Sequence, residues 1–204
     1  MTESRTLHKS AEAIFQSVLK LAENRFELIR KDNEIGLQLL SQFSGLDNYE
    51  RLYVHQVTEF KCASASFIIL LLEKHLTIIK QTANKTRYQE QVEEVEPVLI
   101  FSLPEDIGNV VIQKETLGDK IADLFTKADT DFEEYPVFSK NYLVVGDKPD
   151  LVKQHLPVGL MRSLEKFEDL TVEINGRLGL VRAEKNLTED LLLQLITIGN
   201  QLLK

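Results

Sequence analysis

The stretch Lys61-Cys-Ala-Ser-Ala-Ser-Phe67-Ile-Ile-Leu-Leu-Leu72-Glu73 contains the longest uncharged apolar run in the chain. It is well short of the roughly 20 residues that a membrane-spanning helix needs. Around it, aromatic and aliphatic residues recur at steps of three and four from Tyr49 to His75, which is the spacing of a helix face. We therefore predict a long buried helix that ends near residue 81.

The residues before this stretch predict a second long helix. Apolar residues recur at alternating steps of four and three from Leu7 to Leu21, and the pattern resumes after a polar interruption near Asp32. Ser44-Gly45 ends this helix, because glycine tolerates the left-handed conformation at a helix C-terminus. Two long helices joined by a short turn run antiparallel, so residues 1–86 are predicted to form a helical hairpin.

Residues 87–204 have a different pattern, in which short apolar runs alternate with turn residues. We predict strands at 97–103, 110–112 and 137–145, and helices at 116–127, after Pro149, after Pro157 and from Thr188. The fold class predicted for the whole chain is α+β, with the helical hairpin followed by a compact mixed α/β domain. Its sheet is expected to be small and largely antiparallel.

The clearest turn signal is Asn175-Gly176, which predicts a hairpin over residues 170–180. A three-residue loop pairs Val172 with Leu178 and Leu170 with Leu180, and so places all four side chains on one face. A two-residue turn at Asn175-Gly176 would scatter the apolar side chains over both faces. The hydrophobic pattern therefore favours the longer loop.

Composition limits the classes of function. Cys62 is the only cysteine, so an intramolecular disulfide is excluded and a reducing cytoplasm is predicted. On its apolar helix face, Cys62 is expected to be a small buried hydrophobe rather than a nucleophile. The net charge is −8, and residues 87–204 hold 22 acidic side chains against 13 basic ones, which disfavours nucleic acid. The sequence contains no nucleotide-binding or acyl-transfer motif, and no cofactor is predicted.

The string Phe132-Glu-Glu-Tyr-Pro-Val-Phe138-Ser-Lys-Asn-Tyr142-Leu-Val144, followed by Gly146-Asp147, a helix and the terminal hairpin, resembles a bacterial family of domains of unknown function. In that family an F-S-K-x-Y/F-x-V-like strand precedes a short turn that contains Asp. The resemblance covers about residues 97–204. Several members carry membrane-spanning helices ahead of this domain. The predicted hairpin takes that place here and is too polar to span, so the resemblance implies no more than peripheral attachment to a membrane complex. The family implies no activity and no site residue.

The first functional hypothesis is a non-catalytic interaction or assembly protein. A run that is apolar all round needs more neighbours than one partner helix provides, so a homo-oligomer or a protein partner is expected to cover it. Alternatively, the chain's own α/β half packs against this apolar run and buries it. The candidate interaction surface consists of Phe67, Ile68, Leu71 and Leu72.

The second hypothesis is a small-ligand or metal-dependent enzyme that uses the acidic loop 129–134. Hard cations prefer carboxylate oxygens, and a histidine in the same half completes an acid–base pair if the fold brings it to one of them. The EF-hand pattern fails, because Glu134 stands where that loop needs Gly and Lys140 where it needs Glu. A solvated acidic loop is the competing interpretation. The residues of this second candidate site are Asp129, Asp131, Glu133, Glu134 and His155.

Overall fold

Three long antiparallel strands, rather than a pair of helices, occupy most of residues 51–102. The computed structural model describes residues 9–46, 49–63, 65–81, 87–114, 130–167 and 169–203. The strands are β1 (Glu27–Lys31), β2 (Arg51–Cys62), β3 (Ala65–Gln81), β4 (Arg87–Ser102), β5 (Asn109–Lys114), β6 (Tyr142–Gly146), β7 (Thr171–Asn175) and β8 (Leu178–Arg182). The helices are α1 (Lys9–Ala22), α2 (Asn33–Leu40), α3 (Pro136–Asn141), α4 (Pro149–His155), α5 (Val158–Lys166) and α6 (Glu189–Leu202), with a short 3-10 turn at Ser44–Leu46.

The described residues form one eight-stranded sheet with the order β1-β2-β3-β4-β8-β7-β5-β6, in which all neighbouring strands are antiparallel. The predicted fold class, a helical hairpin over residues 1–86 followed by an α/β domain with a small sheet, is therefore wrong, because one large sheet contains strands from both halves. The predicted domain boundary at residues 86 and 87 falls between β3 and β4, which pair over fourteen residues each.

The apolar run that predicted a helix lies in β3, an interior strand of this sheet. Phe67, Ile69 and Leu71 are buried on one face, whereas Leu70 and Leu72 are buried on the other. Successive side chains of a strand point to opposite faces, so a strand that is covered on both sides is apolar at every position. Such a run cannot be distinguished from a buried helix by its periodicity.

Helices cover both faces of the central strands. α1 and α6 lie on the face of Phe67, and α2 lies on the opposite face over β2. Two glycines allow this close approach: a Cβ at Gly36 of α2 would lie 2.8 Å from Val57, and one at Gly199 of α6 would lie 2.6 Å from the Phe67 ring. Instead of one long helix with a break near Asp32, the structure has α1 and α2 with the strand β1 between them. Asp32 begins α2 by accepting a hydrogen bond from the Glu34 N–H at 2.9 Å.

The helices and strands predicted for residues 87–204 agree better with the structure than those predicted for residues 1–86. The predicted strands at 97–103 and 110–112 lie almost wholly within β4 and β5, and the helices after Pro149, after Pro157 and from Thr188 are α4, α5 and α6. The strand predicted over 137–145 begins only at Tyr142, because Pro136 starts the short helix α3 ahead of it. The helix predicted over 116–127 lies outside the described residues.

The terminal hairpin is present with a different register. Its strands pair Asn175 with Leu178 and Val172 with Val181, so the turn is the two residues Gly176-Arg177. The predicted three-residue loop is wrong because it assumed that only one face is buried, whereas Val172 and Leu180 belong to cores on opposite faces of the sheet. This register also places Gly179 against the ring of Phe101, where a Cβ would collide.

Two further points concern Cys62 and membrane-spanning helices. Cys62 is exposed at the end of β2, so its predicted burial on a helix face is wrong. Among the described residues, no helix combines the length and apolar character that crossing a membrane requires.

Candidate functional site

The strands β3 and β4 extend beyond their neighbours. β2 pairs with β3 only as far as His75, and β8 pairs with β4 only over Leu99–Ser102. From residue 76 to 81 of β3 and from residue 87 to 92 of β4, the two strands pair only with each other within the described part of the chain. We call these twelve residues the ribbon. It projects about 20 Å from the sheet, at about 3.3 Å per residue.

The orientation of the backbone groups along the ribbon follows from hydrogen bonds at its root. The carbonyl of His75 accepts from the Glu50 N–H at 3.1 Å, and so points away from β4. Backbone direction alternates along a strand, so the N–H and C=O groups of Thr77, Ile79 and Gln81 point to the outer edge of β3. No strand in the described ranges lies along that edge.

One polar cluster lies at the root of the ribbon, on the face that α1 covers. We call it the His–Glu cluster, and its centre is the Glu73 carboxylate. Glu73 Oε2 accepts a hydrogen bond from His55 Nε2 at 2.7 Å, and Glu73 Oε1 accepts one from His75 Nε2 at 2.6 Å. The fourth member is Glu93, whose Oε1 lies 3.8 Å from His75 Nδ1.

The strand register brings these four side chains together. Glu73 and His75 are two residues apart on β3 and so share a face, and Glu93 of β4 is directly opposite His75. His55 reaches the same place from β2, because a bulge interrupts the β2–β3 register between Val54 and Gln56.

The His–Glu cluster lies at the border between interior and solvent. The side chains of His55 and Glu73 are each 7 % exposed, that of His75 is 17 % exposed and that of Glu93 is 51 % exposed. A cavity of about 310 Å³ opens beside the two carboxylates, between α1 and the loop that carries Asn186. The cluster is therefore accessible to small ligands and ions from one side.

A second polar cluster lies on the opposite face of the same strands. We call it the buried ion-pair cluster, and the fully buried Glu96 is at its centre. Glu96 Oε2 is 2.7 Å from Lys74 Nζ, and Glu96 Oε1 accepts from Arg182 Nε at 2.8 Å. Lys74 Nζ also lies 3.1 Å from Glu94 Oε2, and Arg182 Nη2 donates to the Tyr49 hydroxyl at 3.0 Å. The two cations and two carboxylates balance in charge.

The electrostatic environment keeps both cations of this cluster charged. Burial lowers the pKa of Lys74, but its hydrogen bond to Glu96 and the charge of Glu96 outweigh that effect, so the pKa lies above its usual value. Burial likewise lowers the pKa of Arg182, and the charge of Glu96 together with Tyr49 raises it further than burial lowers it. A lysine held as a cation cannot act as a general base, so this cluster is suited to anchoring β3, β4 and β8 together.

The predicted interaction surface lies inside the sheet. Phe67, Leu71 and Leu72 are buried by the chain's own helices and strands. Ile68 is half-buried and packs against the core on the α2 face.

The predicted acidic site is only partly assembled. Asp131, Glu133 and Glu134 are exposed and line a cavity of about 480 Å³ together with Lys153. The half-buried His155 is not among the residues that line this cavity, so the expected acid–base pair is not formed in the described part of the chain. Asp129 lies outside the described residues.

Sequence reasoning missed both clusters at the ribbon root. The signal was present as Glu73-x-His75, because residues two apart share a face only if they lie on a strand. With residues 49–81 predicted as a helix, the four histidines of the chain (His8, His55, His75 and His155) share no ligand spacing. Glu96 and Arg182 are 86 residues apart in the sequence, and only the pairing of β4 with β8 brings them together.

No protein-family model matches the chain, and no curated protein or solved structure shows significant similarity to it. The resemblance of residues 97–204 to a bacterial domain family therefore stays a prediction.

Proposed function

We propose that the protein is a non-catalytic assembly protein whose ribbon pairs with the ribbon of a second copy. The observation that carries this proposal is that, within the described ranges, no strand pairs with the outer edge of β3 beyond His75. A row of backbone N–H and C=O groups at such an edge is a template for another strand. A two-stranded ribbon alone is marginally stable in water, so a third strand would stabilise it.

Pairing between two β3 edges satisfies the requirements of a symmetric dimer. An antiparallel arrangement brings the same segment of each copy face to face, which is the self-complementary contact that two-fold symmetry needs. Neither strand of the ribbon contains proline, one of the residues that natural edge strands use to block such contacts. The two polar clusters hold the root of the ribbon in place, so its edge is presented in a fixed direction.

Replacing Thr77 with Pro tests this pairing. The Thr77 N–H points to the outer edge, so proline removes a donor to the second copy and leaves the β3–β4 hydrogen bonds intact. We expect the native chain to be a dimer at high micromolar concentration in size-exclusion chromatography with light scattering, and Thr77→Pro to be a folded monomer.

Thr77→Val is the matched control, because it keeps the N–H and has a similar strand propensity. It should dimerise like the native chain. A native chain that is monomeric at high micromolar concentration contradicts the proposal, and so does a Thr77→Pro chain that still dimerises.

A further inference from the structure

We infer that Glu73, His75 and Glu93 form a binding site for a divalent transition-metal ion, with Zn²⁺ the cation that best fits these donors. One ligand atom from each of the three side chains lies within 4.8 Å of the other two. This inference does not depend on the proposed pairing between ribbons, because the binding of an ion by these three side chains needs no contact at the outer edge of β3.

The geometry requires only a small adjustment to surround an ion. Zn²⁺ lies about 2.0–2.2 Å from imidazole nitrogen and carboxylate oxygen in tetrahedral sites, which places the ligand atoms roughly 3.4 Å from one another. Ligand atoms that lie up to 4.8 Å apart must therefore close by at most about 1.4 Å, which rotation of the half-exposed Glu93 side chain supplies. Glu73 Oε1 and His75 Nε2, which are 2.6 Å apart in a direct hydrogen bond, must separate by about 0.8 Å to admit the ion. The strand pairing between His75 and Glu93 fixes the remainder of the site.

His55 acts as a positioning residue in this arrangement. Carboxylates that bind metal ions are themselves held by hydrogen bonds, which fix their orientation. The hydrogen bond from His55 Nε2 holds Glu73 Oε2 in place. It leaves Oε1, now bonded to His75 Nε2, as the oxygen that would turn to the ion.

The donor set selects among cations. Zn²⁺ accepts a mixture of imidazole nitrogen and carboxylate oxygen, whereas Ca²⁺ takes six to eight oxygen ligands and Mg²⁺ demands octahedral oxygen coordination. The order of stability for divalent ions places Cu²⁺ above Zn²⁺, so Zn²⁺ is favoured here by its tetrahedral geometry rather than by affinity alone. Three protein ligands leave a fourth position on the side of the 310 Å³ cavity, where water or a small anionic ligand can bind the ion.

The experiment uses the full chain after treatment with a chelator. We expect isothermal titration with Zn²⁺ to saturate at one equivalent, and Co²⁺ to give the visible absorption bands of a tetrahedral site when it replaces Zn²⁺. Glu93→Gln and His75→Asn should each weaken Zn²⁺ binding at least ten-fold, by analogy with the loss caused by removing a supporting group. Mg²⁺ should give no saturable binding.

Glu133→Gln is the matched control, since it removes an exposed carboxylate from the acidic loop and should leave Zn²⁺ affinity unchanged. Because the Glu93 side chain is half-exposed, Glu93→Gln tests the site even if His75→Asn fails to fold. Absence of saturable Zn²⁺ binding overturns the inference, as does an affinity that Glu93→Gln leaves unchanged. Repeating the titration on Thr77→Pro separates the result from the assembly proposal, because that variant should bind Zn²⁺ normally.

Discussion

Replacing Leu71 with Asp is expected to unfold the chain at room temperature. Leu71 is fully buried in a central strand, within the core that also contains Phe67 and Leu99. The substitution loses roughly 1.5–3 kcal/mol of apolar burial and adds several kcal/mol for a desolvated carboxylate. The total is comparable with the about 5–15 kcal/mol that stabilises a typical domain. Far-ultraviolet circular dichroism and urea denaturation measure the loss.

The same change at an exposed leucine provides the control. Leu21 lies on the solvent side of α1, so Leu21→Asp should lower the free energy of unfolding by about 1 kcal/mol or less, which is the order of a helix-propensity difference. A Leu71→Asp chain that keeps the native melting temperature would show that Leu71 is not buried in the core of the sheet.

Replacing Glu96 with Gln is expected to lower the free energy of unfolding by about 3–5 kcal/mol. Gln has nearly the shape of Glu but no charge, so Lys74 and Arg182 would be left as buried cations with only Glu94 as counter-charge. The magnitude is that measured when one partner of a buried ion pair is removed. Urea denaturation monitored by circular dichroism gives the difference.

A combined variant distinguishes the destabilisation caused by an unpaired buried charge from the net contribution of the whole cluster to the free energy of unfolding. Replacing Lys74 with Met, Glu96 with Leu and Arg182 with Met removes the buried charges together, and such replacements are often neutral or stabilising by about 1–4 kcal/mol. The combined variant should therefore be much more stable than Glu96→Gln. If Glu96→Gln costs less than about 1 kcal/mol, as a surface ion pair does, the cluster is not buried as described.

Local signals predicted much of the C-terminal half. Prolines at 149 and 157, the Thr188 cap and the turn beside Gly176 act over a few residues, and the structure has α4, α5, α6 and the terminal hairpin at those places. The register of that hairpin was not predictable from its own sequence. It depends on Gly179 facing Phe101 and on burial of both faces, which are properties of the whole sheet.

The N-terminal half was mispredicted because two covered faces remove the alternation that identifies a strand. Leu70 and Leu71 are both fully buried, although they point to opposite sides. Aromatic and aliphatic residues from Tyr49 to His75 then matched helical spacing by chance. Since Glu73 and His75 share a face only on a strand, the error in secondary structure also concealed the candidate site.

Amide hydrogen exchange along residues 76–81 tests the pairing of ribbons most directly, because alternate amides face different partners. The amides of residues 76, 78 and 80 point to β4 and should be protected at every concentration. The amides of Thr77, Ile79 and Gln81 should become protected as the chain concentration rises and the ribbons pair. Exchange of those three amides at the rate of unprotected backbone, from low to high micromolar concentration, would contradict the proposed assembly.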